Sequence, residues 1–267
     1  MNKYLSLHRK KELSDLAEFI ANSYCPDNVI NPEYIATKNS ISFCYGNYEQ
    51  YFDGMIEHLN SKFHIYLNID RLKHSHTVRC RFTFAHELGH YFIDEHRNAL
   101  SSGLVPAHSS FTNFSSDKYV EWEADYFASS LLMPKERFRK DCFKKKFSFL
   151  LLDQLAKKYQ TSLTSTAIKF ADIGTHPILI IFGEDNKIKW YWTSEDFPFK
   201  SILYNKYKIP EQTAMGEYFN KQKRYEKTQE VWAIDWFQNV SNSDTNRKFL
   251  EHCIPYKNQA LSIIWEE

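Results

Sequence analysis

The stretch from residue 82 to residue 90 reads FTFAHELGH, and it decides how the chain around it folds. His86 and His90 lie four positions apart in an otherwise apolar run, and Glu87 directly follows the first histidine. Residues four apart on a helix differ by about 40° in rotation, so both imidazoles can face a single ion. Titratable groups are costly inside a buried helix unless they are paired or bind a metal. The stretch therefore predicts a helix that binds a metal ion.

Glu87 has a different expected role from the two histidines. Its carboxylate adjoins them in the H-E-x-x-H spacing, where it can reach a metal-activated water instead of the metal itself. A metal lowers the pKa of such a water from about 15.7 towards about 7, and a neighbouring carboxylate can accept its proton. Gly89, one residue before His90, lets another backbone approach the helix closely. The spacing is thus suited to metal-assisted hydrolysis, with Glu87 as the general base.

A third metal ligand is needed, because a catalytic zinc usually has three protein ligands and one open position. His96 has the spacing of the third histidine in one class of zinc peptidases. Ile93, however, replaces the glycine at which the chain of those enzymes turns back. A helix continuing from His90 would rotate His96 by about 240°, so we expect His96 to be a surface histidine.

Glu121 and Glu123 are the other candidates for the third ligand, in the segment EWEADYFASSLLMP that begins at residue 121. On a helix, Glu123 would lie about 200° from Glu121. The side chains within about 60° of Glu121 are Ala124, Asp125, Ala128 and Leu132. That face can pack closely against another helix and still present a carboxylate, so Glu121 is the predicted ligand and Glu123 a solvated residue. Asp125 is predicted to accept the second ring N–H of a ligand histidine.

The two segments together, RFTFAHELGH at 81–90 and EWEADYFASSLLMP at 121–134, resemble the ImmA/IrrE family of metallopeptidases. In that family an active-site helix is followed by the pattern E-x-x-A-[ND]-x-F-A-x-x-L-[LM]-M-P, whose first Glu is the third ligand. The resemblance is close over about residues 60–175. It implies a zincin-like fold and a Zn²⁺ ion held by His86, His90 and Glu121, with Glu87 as the base.

The resemblance also implies a function. It points to a cytoplasmic zinc endopeptidase that hydrolyses a peptide bond in a protein substrate, by analogy a helix-turn-helix transcriptional repressor, cleaved in a stress response or in mobile-element transfer. Two alternatives stay open: a DNA-binding regulator with a structural metal, and an inactive scaffold that senses a ligand. Glu87 argues against the first, because a structural zinc does not need a carboxylate beside an open coordination position.

Hydrophobic periodicity predicts an α+β protein. Predicted helices cover 11–24, 76–96 and 118–133, and predicted strands cover 41–46, 50–58, 62–70, 178–182 and 187–192. A loop is expected at 98–117, with Asp117 capping the next helix. Together with the resemblance, this pattern implies a zincin-like metallopeptidase domain over residues 1–175, made of a small mixed sheet and the active-site helices. The resemblance also implies a smaller mixed α/β domain, rich in strands, over 176–267, with a sensor or regulatory role as the expectation to test.

The composition bounds the possible partners. The chain has 34 basic and 33 acidic residues, so no field of one sign attracts nucleic acid or a membrane surface, and neither is an expected partner. Residues 155–170 could form a helix-turn-helix, but the balanced charge favours a helical hairpin. The five cysteines have no C-x-x-C spacing, which is typical of reduced, buried thiols in a cytoplasmic protein. No feature of the sequence indicates an oligomeric state.

Overall fold

The computed structural model describes residues 5–103, 108–110, 119–202 and 208–267. It confirms the α+β class, with one sheet in the N-terminal part of the chain and one in the C-terminal part. The chain forms two compact units: one extends to residue 138 and includes 156–162, and the other consists of 139–155 and 163–267. The expected domain boundary after residue 175 stays a prediction.

The first unit contains a four-stranded mixed sheet. Its strands are β1 (Ser42–Gly46), β2 (Gly54–Leu59), β3 (Lys62–Asn68) and β4 (His108–Ser110). They lie in the order β1-β3-β2-β4, with β1 parallel to β3 and β2 antiparallel to both of its neighbours. Asn60 and Ser61, with φ of 50° and 61°, form the two-residue turn between β2 and β3, as a hairpin with right-handed twist requires. The strand predicted at 62–70 and its two predicted partners are therefore confirmed.

The helices of this region are α1 (Leu7–Tyr24), α2 (Pro32–Lys38), α3 (Ile69–Leu72), α4 (Val78–Phe92), α5 (Asp94–Ser101), α6 (Tyr119–Leu132) and α7 (Lys135–Cys142). Thr77 begins α4 as its N-cap, and its side chain accepts a hydrogen bond from the backbone N–H of Cys80. α4 ends at Phe92 because Ile93 adopts an extended conformation, with φ of −76° and ψ of 113°. α5 then begins in a new direction at Asp94. The predicted cap of α6, Asp117, lies outside the described residues.

α4 and α6 pack against each other unusually closely at Gly89. A Cβ atom on Gly89 would lie 3.2 Å from Cα and 3.3 Å from the carbonyl oxygen of Ala124. A larger residue at either position would push the two helices apart. The glycine and alanine therefore set the spacing at which side chains of α4 and α6 can share one site.

The second unit contains a five-stranded antiparallel sheet. Its strands are β5 (Ile178–Glu184), β6 (Lys187–Thr193), β7 (Gln229–Trp232), β8 (Lys248–Tyr256) and β9 (Gln259–Trp265), in the order β6-β5-β9-β8-β7. The helices are α8 (Phe149–Tyr159), which lies partly in each unit, α9 (Leu163–Ile173), α10 (Ala214–Lys221) and α11 (Ala233–Trp236). The strands predicted at 178–182 and 187–192 are confirmed.

One further expectation concerns the same part of the chain. Residues 155–170 cover the end of α8, a three-residue connection and most of α9, which is the helical pair that both interpretations of this segment predicted. Among the described residues, no helix has both the length and the apolarity to cross a bilayer.

Candidate metal centre

His86, His90 and Glu121 converge on one point between α4 and α6, with one potential ligand atom from each within 4.8 Å of the others. Nε2 of His90 lies 3.1 Å from Nε2 of His86, and Glu121 places its two carboxylate oxygens 3.3 Å from His86 Nε2 and 3.6 Å from His90 Nε2. Bonds of about 2.0–2.1 Å at tetrahedral angles put neighbouring ligand atoms about 3.4 Å apart. The three residues therefore fit a single tetrahedral metal ion, and they are the three that the sequence predicted.

The electrostatic surroundings of His86 favour a positive charge at this point. Its Nδ1 lies 2.8 Å from a carboxylate oxygen of Asp125, so that its Nε2 is the ring nitrogen that faces His90 and Glu121. Burial alone would lower the pKa of His86, but the carboxylates of Asp125 and Glu121 outweigh burial and raise that pKa well above 6.5. A metal cation would supply the same charge. Asp125 therefore lies beside His86, one of the two proposed ligand histidines.

Glu87 lies fully buried on α4 and packs against the first residue of β2. A Cβ atom on Gly54 would lie 2.6 Å from Oε1 of Glu87 and 2.6 Å from Cγ2 of Thr83. Only a glycine leaves room for the carboxylate in this position. The role of Gly54 was not predicted, although a glycine inside a predicted strand, here 50–58, often marks a close approach.

The predictions that His96 and Glu123 lie on the surface are wrong. Only 6% of His96 and 4% of Glu123 are exposed. The prediction for His96 assumed one continuous helix, whereas the extended conformation of Ile93 ends α4 and sends the chain back over His90. His96 is nevertheless not part of the cluster of possible ligands, because it meets His90 at the other ring nitrogen, with 3.2 Å between the two Nδ1 atoms.

Glu123 is buried because it has two partners of its own. It lies 2.8 Å from Nε2 of His96 through one carboxylate oxygen and 2.5 Å from Nε of Arg9 through the other. Burial lowers the pKa of His96 below its usual 6.5, against the opposing effect of the Glu123 carboxylate. The helical angle correctly placed Glu123 on a different face from Glu121. The contact with Arg9 could not be predicted from the local sequence, because Arg9 lies 114 residues from Glu123.

Comparisons with known proteins show what this chain is similar to. Residues 65–170 match the family described as IrrE N-terminal-like domain, or peptidase M78. No curated protein matches the chain significantly. The solved structure of a Mycobacterium tuberculosis transcriptional regulator is similar at a TM-score of 0.59 and 14% identity, over 97% of this chain and 78% of that one. At this identity the likeness shows the fold alone.

The family match contains all four residues of the proposed site, His86, Glu87, His90 and Glu121, and it supports a function of the metallopeptidase type. It covers both segments on which the resemblance rested. The match to the IrrE N-terminal-like domain at residues 65–170 supports membership of this chain in the ImmA/IrrE family.

Proposed function

We propose that this protein is a zinc-dependent endopeptidase that hydrolyses a peptide bond in a protein substrate. The observation that carries the proposal is the cluster of His86, His90 and Glu121, whose facing atoms are 3.1–3.6 Å apart, as a tetrahedral zinc site needs. The family match supports the same reaction class. A His₂Glu set also accepts other divalent metals, so zinc itself is part of the proposal.

A bound zinc ion would supply a Lewis acid that polarises the scissile carbonyl and activates a water molecule. His86, His90 and Glu121 would hold it. Glu87 accepts the proton from the attacking water at its carboxylate and then delivers that proton to the nitrogen of the leaving amine. The burial of Glu87 excludes bulk water and strengthens its interaction with developing charge. Gly54 leaves the space that this carboxylate occupies.

The proposed substrate is a helix-turn-helix transcriptional repressor, cleaved in the cytoplasm to release genes of a stress response or of a mobile element. The family resemblance supports this substrate class. The structural relative is described as a transcriptional regulator, which is consistent with a role in gene control. The five free cysteines support a reducing compartment.

The proposal can be tested with the purified, zinc-loaded protein. It is mixed with a repressor encoded beside its own gene, and the products are analysed by mass spectrometry. We expect one pair of fragments that chelation abolishes and that the Glu87→Gln variant does not produce. Fragments that survive both controls would come from a contaminating protease. An intact repressor together with an uncleaved peptide library would contradict endopeptidase activity.

A further inference from the structure

A line of buried polar side chains leads away from His90 at the ring nitrogen that does not face His86. His90 Nδ1 meets His96 Nδ1 at 3.2 Å, His96 Nε2 meets Glu123 Oε2 at 2.8 Å, and Glu123 Oε1 meets Arg9 Nε at 2.5 Å. These four residues, here called the His90 chain, come from α4, α5, α6 and α1 respectively. Four separate elements thus converge behind one proposed ligand.

When His96 is neutral, the hydrogen bonds of the His90 chain run in only one direction. The guanidinium of Arg9 can only donate, and the carboxylate of Glu123 can only accept. His96 must therefore donate from Nε2 to Glu123. A neutral imidazole has one N–H, which leaves Nδ1 of His96 as an acceptor. The hydrogen in its contact with His90 then belongs to Nδ1 of His90.

The direction of these hydrogen bonds determines whether Nε2 of His90, the nitrogen that faces the proposed metal, carries a hydrogen. With its hydrogen on Nδ1, His90 presents a lone pair at Nε2, towards His86 and Glu121. A metal ligand needs that lone pair, and ligand histidines usually have a partner at the other nitrogen that fixes the tautomer. For His86 this partner is the carboxylate of Asp125, which its Nδ1 contacts directly. His90 reaches Glu123 only through the ring of His96.

We propose that His96 and Glu123 are positioning residues for His90, and that Arg9 fixes Glu123, so that α1 takes part in holding the metal. This inference rests on the proposed metal site. In this arrangement α6 supplies one ligand, Glu121, and two further carboxylates. Asp125 is the partner of His86, and Glu123 is the carboxylate that His90 reaches through His96. Loss of such an outer partner typically weakens metal binding by about 10- to 100-fold.

The test compares two glutamates that both contact Arg9. Glu123→Gln keeps the shape of the side chain but turns an N–H towards either His96 or Arg9, both of which donate. Glu95→Gln is the matched control, because Glu95 meets the same guanidinium at 3.2 Å but is exposed and lies outside the His90 chain. Zinc affinity of the full-length variants is measured by competition with a chromophoric chelator. We expect binding to weaken by about 10- to 100-fold in Glu123→Gln and to stay unchanged in Glu95→Gln.

A second measurement does not depend on whether Glu123→Gln folds. In the zinc-loaded wild-type protein, long-range ¹H–¹⁵N spectra report the hydrogen-bearing nitrogen of each histidine. We expect the hydrogen on Nδ1 of His90 and on Nε2 of His96. A hydrogen on Nδ1 of His96, or wild-type affinity in a folded Glu123→Gln protein, would overturn the inference. If the wild-type protein itself does not bind zinc, the proposed function fails instead.

Discussion

Single substitutions can separate the proposed general base from the proposed ligands. Glu87→Gln replaces the buried carboxylate with an amide of nearly the same shape that cannot accept a proton. We expect the variant to keep its zinc and its fold while peptide hydrolysis falls by about 10²- to 10⁴-fold. Elemental analysis and product formation measure the two properties on the same sample. Turnover close to that of the wild-type protein would mean that another group acts as the base.

The ligand set predicts one zinc ion per chain. His86→Ala, His90→Ala and Glu121→Ala each remove one of three atoms around the proposed ion, so we expect each variant to lose both the zinc and the activity. Zinc content after gel filtration checks this outcome. Full zinc content in Glu121→Ala would show that the third ligand is a different residue, whereas Glu123→Gln should still fill with zinc when the metal is in excess.

Cys44 differs from the other four cysteines. The sequence predicted buried thiols throughout, but Cys44 is partly exposed on β1, and its sulfur lies 3.3 Å from Nε2 of His64. Burial, by contrast, raises the pKa of Cys80 and of Cys253 to about 12 and leaves little thiolate. We expect a short iodoacetamide pulse on the folded protein to alkylate Cys44 first, as mass spectrometry of peptides would show. Equal labelling of all five thiols should occur only after denaturation.

At the scale of helices and strands, the local sequence predicted the elements well, and their ends and long-range contacts less well. The helical period around His86 identified α4, and the alternation at 62–70 identified β3. The change of direction at Ile93 was missed, because a β-branched residue in an apolar run does not mark a helix end as glycine or proline does. The burial of Glu123 was missed for a different reason, since it depends on Arg9 of α1 and on the chain that Ile93 redirects.

The contact between β2 and α4 leads to a test of how Glu87 is positioned. Gly54→Ala would put a methyl group 2.6 Å from Oε1 of Glu87, so the carboxylate must move. A displacement of about 1 Å can cost about 10²-fold in rate. We therefore expect Gly54→Ala to slow hydrolysis by at least about 10-fold without loss of zinc, because the two closest contacts of the new methyl are Glu87 and Thr83 and not a proposed ligand.

A double substitution is the control for this prediction. In a Glu87→Gln background the carboxylate is already gone, so adding Gly54→Ala should slow the remaining hydrolysis little further. A multiplicative loss in the double variant would show that Gly54 acts through the fold of β2 instead of through Glu87.

At the scale of the whole molecule, the two compact units differ in what their sequences reveal. The first carries motifs at short, fixed spacings, so its proposed site could be predicted residue by residue. The family match ends at residue 170, whereas the structural likeness to the transcriptional regulator covers 97% of the chain. The strands of the second unit were predictable from alternation, but its most unusual feature, a fully buried carboxylate on β8, depends on partners from three other elements.

That carboxylate belongs to Glu251. Oε2 accepts hydrogen bonds from the backbone N–H of Ala214 at 2.9 Å and from Nε1 of Trp236 at 3.1 Å. Oε1 accepts from the backbone N–H of Met215 at 3.0 Å and from the hydroxyl of Ser262 at 2.5 Å. Glu251 thereby accepts hydrogen bonds from backbone N–H groups that have no partner within the first turn of α10. It also connects α11 and β9 to β8. Burial nevertheless raises its pKa above 4.5, against the effect of these donors.

The raised pKa gives a pH dependence of stability with a definite sign. The folded protein holds the proton of Glu251 more tightly than the unfolded chain, so the stability that Glu251 contributes is fully present below about pH 4.5 and declines as the pH rises through the raised pKa. A glutamine side chain at this position would not titrate and would turn an N–H towards a donor. We expect Glu251→Gln to lower the free energy of unfolding by about 1–3 kcal/mol at pH 5 and by less at pH 7.

Urea unfolding of the wild-type protein and of Glu251→Gln, followed by circular dichroism between pH 5 and pH 7, measures this difference. Glu230→Gln on β7 is the control, because Glu230 is exposed and forms a surface ion pair with Lys248, which is exposed as well. Its effect should stay below about 1 kcal/mol, as for other surface ion pairs, with little change across the same range. A loss of unfolding free energy in Glu251→Gln that grew as the pH rose would contradict the prediction. It would mean that the folded protein stabilises the ionised carboxylate, so that the four hydrogen-bond donors outweigh burial in setting the pKa of Glu251.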